Sequence, residues 1–214
     1  FDELHERGRI GDVQVRTLHV GFKSPADPPP SKVLETKPAE DYEIILSDQP
    51  SIFDEACLGM PAQYASDAGI PSKVWADVDT TLADLDTSQL HFVRIPENHI
   101  VIDFDLRNPN GEKDLDASVN EASKWPPTYA EVSKSGQGLH LHYIYVGDPT
   151  DLAPEYAPGI EIKHYTGKAS LRRRRTLCNN HLIAEISSGL PLKDAKMISD
   201  NVVKTERGLR TLIG

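Results

Sequence analysis

Thr128-Tyr129-Ala130-Glu131-Val132-Ser133-Lys134-Ser135-Gly136-Gln137-Gly138-Leu139-His140-Leu141-His142-Tyr143-Ile144-Tyr145-Val146 is the stretch whose reading decides the fold class. Residues 128–133 and 139–146 have the alternation and the β-branched and aromatic content of strands, and they flank a polar segment with two glycines. That spacing predicts an antiparallel hairpin, whose glycines permit positive φ and close approach by a ligand. Upstream, residues 90–95 and 99–106 read as two strands separated by a turn at Pro96, and Asn108-Pro109-Asn110-Gly111 is a strong turn signal. Residues 115–124 read as a short helix closed by Pro126 and Pro127, and residues 160–165 as a further strand. Strands interleaved with helices and at least one hairpin predict an α+β fold rather than a purely parallel sheet.

Farther out the patterns are shorter. In residues 51–68 apolar residues fall at helical spacing with Ser51 placed to cap, and Pro61 divides the run into two expected helices. Residues 72–85, with Trp75, Val78, Leu82 and Leu85 among many aspartates, predict an amphipathic, solvent-facing helix. Residues 12–22 alternate as a strand or extended arm, and Pro25, Pro28, Pro29, Pro30 and Pro38 make residues 24–38 a linker or loop. Residues 193–213 have a helical pattern with a gap at Gly208. The expected organisation is an arm and proline-rich linker over 1–40, a catalytic domain over 41–192, and a C-terminal helical segment over 193–214 leading toward a further domain. The start at Phe1 and the helical pattern at the end suggest a piece of a longer polypeptide.

A formal net charge of -10 over 214 residues excludes a protein that coats nucleic acid with its whole surface, so any such site must be local. Cys57 and Cys178 lie far apart without metal-knuckle or disulfide spacing, which fits a reducing cytoplasm. No stretch approaches the roughly 20 apolar residues of a membrane span, and no signal peptide is expected.

In Val101-Ile102-Asp103-Phe104-Asp105-Leu106 alternation puts both aspartates on one face and Ile102, Phe104 and Leu106 on the other. Carboxylates about 7 Å apart on a buried strand need a compensating cation. Mg²⁺ or Mn²⁺ suits such hard oxygens and leaves positions open for triphosphate. Aspartates that merely face solvent would give the same pattern. Ser135, Gly136, Gly138 and His140 offer a hydroxyl, free backbone N–H groups and an imidazole suited to a triphosphate, although a plain glycine turn would account for them too. His140 and His142 share a face, so a metal held by the pair is also conceivable. Glu161, between Ile160 and Ile162, is a third carboxylate that could complete a two-metal site, or an ordinary exposed strand residue. Lys163, Lys168 and Arg172-Arg173-Arg174-Arg175 form a basic island, from which Lys163, Arg172 and Arg174 are expected to meet phosphate.

The succession DFD, SGQGLH and an apolar-Glu-apolar strand followed by basic residues resembles motifs I, II and III of the archaeo-eukaryotic primase superfamily, particularly the primase-polymerases of phages and mobile elements. The resemblance covers residues 100–180. It implies an RRM-like antiparallel catalytic sheet packed with an N-terminal α/β unit, and two-metal nucleotidyl transfer from NTPs or dNTPs on a single-stranded DNA template. It implies metal-binding carboxylates at Asp103, Asp105 and Glu161 and triphosphate binding at Ser135 and His140, with Lys134 beside them. Members of the phage group commonly carry a helicase domain after the primase.

Two other readings compete. A replication-initiator endonuclease of the His-hydrophobic-His kind would use His140-Leu141-His142 for one metal and Tyr165 or Tyr143 as nucleophile, but leaves DFD and SGQG unexplained. A non-catalytic nucleotide- or single-strand-binding module would use exposed aromatics on such a sheet, whereas Tyr143 and Tyr145 are expected on the face away from His142.

Overall fold

The computed structural model describes residues 42–193; the expected arm, proline-rich linker and C-terminal helix lie outside the described residues. Helix α1 (Ile52–Cys57) starts as its sequence requires, with the Asp54 N–H donating to Ser51 Oγ at 3.2 Å and acidic residues in the first turn. The helix expected after Pro61 is instead strand β1 (Ala62–Tyr64), paired antiparallel with β2 (His91–Val93). Pro61 stops the helix, and burial of Ala62 and Gln63 against the neighbouring strand outweighs the local spacing.

The helix expected over 72–85 is also absent. Two single 3-10 turns, Trp75–Asp77 and Leu82–Asp84, replace it. Only Leu82 of that segment's apolar side chains is fully buried, so there is little packing to support a helix. Its polar side chains bind the backbone locally instead: Thr81 N–H donates to Asp84 Oδ2 at 2.8 Å, and Ser88 N–H to Asp86 Oδ1 at 3.0 Å.

From residue 99 onward the expected elements are present. Strand β3 (His99–Phe104) is buried at every position, as the β-branched run Ile100-Val101-Ile102 suggests for a central strand. Asn108 closes the expected turn, accepting from the Gly111 N–H at 2.9 Å, and Asp114 caps α2 (Leu115–Ala122). The hairpin follows as β4 (Ala130–Val132) and β5 (Leu139–Tyr145). Strands β6 (Glu155–Ala157) and β7 (Ile160–His164) form a second hairpin. The basic run contains an unexpected strand, β8 (Leu171–Arg173), and β9 (Ala184–Ile186) was likewise not signalled by its pattern.

The fold is α+β, with largely antiparallel sheets. The main sheet has the order β4-β5-β3-β7-β6, with β9 parallel to the far end of β5; β1, β2 and β8 form a second sheet. One face of the main sheet carries Ile100, Ile102, Phe104, Leu139, Leu141, Tyr143, Ile160 and Ile162 against α2 and Trp125. At about 1.5–3 kcal/mol for each large apolar side chain buried, this is the principal core. The other face, through Val101 and Tyr129, packs on Phe53 and Cys57 of α1 and on Val93 and Leu171 of the small sheet. Among the described residues no helix is long and apolar enough to cross a membrane.

Candidate functional site

The register of the main sheet aligns four polar residues in one row on the face opposite α2. Glu131 lies opposite His140, His140 opposite Asp103, and Asp103 opposite Glu161. Residues 28 to 58 positions from Asp103 in sequence are thereby brought into one row, because paired positions on antiparallel strands point the same way. Side-chain exposure runs from 2% at Glu131, through 12% at His140 and 9% at Asp103, to 61% at Glu161, so the row leads from the interior to solvent.

Asp103 is a carboxylate on a fully buried strand, and its surroundings must compensate it. His140 Nε2 is 3.4 Å from Asp103 Oδ1, and the Lys163 ammonium bridges Asp103 and Glu161, 3.2 Å from Glu161 Oε2. Burial pushes the Asp103 carboxyl up, but the hydrogen bonds and charges of His140 and Lys163 outweigh it and hold the group well below the usual carboxylate range. His140 answers in kind: burial opposes its charge, yet Asp103 and Glu131 raise it to about 9.

Asp105 sits just past the end of β3, with its N–H donated to Gly159 O at 2.8 Å and Oδ2 paired with Lys113 Nζ at 2.7 Å. The Asp105 carboxylate also lies against the glycine turn. A Cβ at position 138 would come 2.5 Å from Asp105 Oδ1 and 2.9 Å from the Phe104 carbonyl, so only glycine admits this approach. The turn is closed by Ser133, whose N–H donates to Gly138 O at 2.8 Å and whose Oγ accepts from the Gly138 N–H at 3.2 Å. Gly136 has φ 80°, and Lys134, Ser135 and Gly136 are exposed at its tip. Asp103, His140 and Glu161 thus lie side by side across β5, β3 and β7, and Asp105 lies against the SGQG turn just beyond the end of β3.

The arginine run divides by alternation. Arg172 is on the outer face of β8, over the Phe92 ring and beside the Gly69 turn, and the structure does not bring it to the carboxylate row. Arg174 is exposed and lines a groove with Gly136, Val132, Leu115 and Asp48. Arg175 is held by Asp48 at 3.1 Å and by Gln49 O at 3.2 Å. Lys163, expected to meet phosphate, is engaged by carboxylates instead.

Arg173, Glu131 and the second histidine are the residues that the motif reading did not assign together. Arg173 is 1% exposed, stacked 4.3 Å over the Phe53 ring and paired with Asp54. Its Nε donates to Glu131 Oε1 at 3.1 Å and its Nη2 to Oε2 at 2.7 Å, a two-pronged grip that keeps Glu131 ionised in spite of complete burial. Tyr129 OH adds a donor to Glu131 Oε2 at 3.0 Å. Glu131, His140 and His142 each present a ligand atom within 4.8 Å of the others, so this buried group could hold a metal ion. Hairpin register was the available signal, since a turn over residues 133–138 puts position 131 opposite 140.

These shifts set a pH dependence for the metal-free chain. His140, raised from 6.5 to about 9, contributes stability that is fully present below about 6.5 and is lost as pH rises through about 9. Burial lowers His91, His99 and His142, whose effect therefore falls below 6.5. Denaturant midpoints should decline between pH 6.5 and 8.5, and His140→Gln should flatten that decline; an equal slope in the variant contradicts the assignment.

No protein-family model, no curated protein and no solved structure matches this chain.

Proposed function

We propose that this chain is the catalytic domain of a primase-polymerase, joining nucleoside triphosphates on a single-stranded DNA template. The observation that carries the reading is the alignment of Asp103 with Glu161 and His140 across three neighbouring strands, with Asp105 against the glycine turn at Gly138. Strand order supports it: β3, β4, β5 and β7 give the antiparallel order β4-β5-β3-β7 with α2 on one face, the strand order of an RRM-like sheet, while a 3-10 turn and β6 stand where its second helix would follow β5.

The three carboxylates fit divalent cations. Asp103 Oδ1 is buried with only the long 3.4 Å approach of His140 Nε2 to satisfy it, and all three groups are hard oxygen donors. Mg²⁺ or Mn²⁺ bound there would supply Lewis-acid activation of a primer 3'-hydroxyl and neutralisation of the triphosphate. Lys163 holds the counter-charge between Asp103 and Glu161 and would swing toward phosphate when the carboxylates are otherwise compensated. His140, with Nε2 directed at the row, and the exposed turn at Ser135 would grip the triphosphate, with Lys134 and Arg174 adding charge from the loop side. The groove along Gly136, Val132 and Arg174 offers a path for the template strand or the nucleotide base.

The nickase reading draws on the Glu131, His140 and His142 group but lacks a suitable nucleophile. Tyr143 is fully buried on the opposite face, donating to Pro126 O at 2.5 Å, and burial, followed by the charges of Asp103 and Glu131, raises the Tyr165 hydroxyl well above its ordinary value. Tyr165→Phe should leave nucleotide incorporation intact.

The chain is incubated with Mg²⁺ or Mn²⁺, a single-stranded template with and without a primer, and labelled NTPs or dNTPs. Template-directed products support the proposal; bound nucleotide without product under any metal condition favours a binding module. His140→Ala should raise the apparent KM for nucleotide by roughly tenfold or more, as loss of a charge-assisted contact predicts. An unaltered KM would remove His140 from the nucleotide site.

A further inference from the structure

We propose that Glu131, His140 and His142 form a separate zinc site on the buried side of His140, behind the row of carboxylates. The ligand atoms are Glu131 Oε1, His140 Nδ1 and His142 Nε2. Their spacing is that of an ion's coordination shell: His142 Nε2 is 3.4 Å and His140 Nδ1 3.9 Å from Glu131 Oε1. A tetrahedral ion with bonds of about 2.1 Å has ligand-to-ligand edges of about 3.4 Å, so little adjustment is needed.

Both nitrogens are buried and lack a hydrogen-bond partner among the described residues. A fully buried His142 nitrogen without a partner is costly, and a metal bond removes that cost. The other nitrogen of His142 is already used, 3.0 Å from His99 Nε2, an outer contact of the kind that orients a ligating imidazole. Charge is suited as well. Asp54 offsets Arg173, so the negative charge of Glu131 remains to meet a dication, and Arg173 keeps the carboxylate in place without occupying every lone pair of Oε1. Two imidazoles and one carboxylate with an open fourth position favour Zn²⁺ over Mg²⁺.

Zinc on Nδ1 would place the remaining proton of His140 on Nε2, the atom 3.4 Å from Asp103 Oδ1. The ion would thereby fix the tautomer and direction of the imidazole that faces the carboxylate row. Zinc binding itself does not depend on the polymerase reading.

The test is Zn²⁺ titration of the chelator-treated full chain against a chromophoric competitor, alongside the His142→Gln and Asp103→Asn/Glu161→Gln variants. We expect one tight Zn²⁺ per chain, retained in the carboxylate double variant and weakened at least about tenfold by His142→Gln. Parent-like affinity in His142→Gln, or loss of the tight Zn²⁺ only in the carboxylate variant, would overturn the site. As a check that does not depend on folding of His142→Gln, Cu²⁺-loaded parent is also studied by pulsed electron paramagnetic resonance. Couplings to two imidazole nitrogens support the site, and an all-oxygen environment overturns it. Incorporation by a chain that binds no zinc sinks this site alone; zinc without incorporation sinks the polymerase reading alone.

Discussion

Asp103→Ala should lower nucleotide incorporation by at least about a thousandfold while the chain stays folded. The loss follows from removing the carboxylate that shares the site with His140, Lys163 and Glu161, where stabilisation of developing charge supplies most of the acceleration. Folding is much less exposed to the change. Of the two cations that compensate Asp103, Lys163 is 39% exposed and can turn to water, and His140 keeps Glu131 as a partner. Asp103→Asn keeps the shape and should be nearly as inactive, with a denaturation midpoint below that of the parent because its charge pairs with His140 and Lys163 are lost. Steady-state incorporation and urea unfolding on the same preparations check both halves, and substantial synthesis by either variant removes Asp103 from the chemistry.

Arg173→Met should have the opposite profile, a large loss of stability. The substitution leaves Glu131 fully buried without its two-pronged partner and strips Asp54 of its ion pair. Breaking a buried pair from one side costs about 3–5 kcal/mol, against a total of about 5–15 kcal/mol for a typical domain. Adding Glu131→Gln to Arg173→Met should recover part of the loss, because no uncompensated carboxylate then remains at the centre. Urea denaturation of the parent, both single variants and the double variant measures the coupling; additive losses would mean that the pair is not the unit holding β4 to β8.

The strands that form the site were readable because their patterns are strong and local. In β3 and β5 the alternation of apolar and polar residues identifies the face of each side chain, and Gly136 and Gly138 mark the turn between β4 and β5. The segment from 61 to 85 misled because its apolar residues fall at helical intervals by composition alone. Pro61 and the self-bonding Thr81, Asp84 and Asp86 break the chain into pieces too short to sustain a helix.

The buried ion-pair network escaped for a different reason. Arg173 sits in a run of four arginines that reads as a solvated charged face, and its compensation comes from Glu131 and Asp54, which are 42 and 119 residues away. No local pattern reveals such pairing. Once β8 is known to be a strand, alternation turns Leu171 and Arg173 inward and Arg172 outward, which separates Arg172 from the groups with which the basic run was expected to act.

The most direct measurement is a crystal structure of the full chain with Mn²⁺ and a non-hydrolysable nucleoside triphosphate. The account predicts manganese bound by Asp103, Asp105 and Glu161, with Lys163 displaced and the triphosphate lying along Ser135, Gly136 and His140. Manganese absent from those carboxylates, with the nucleotide bound elsewhere or not at all, would contradict it.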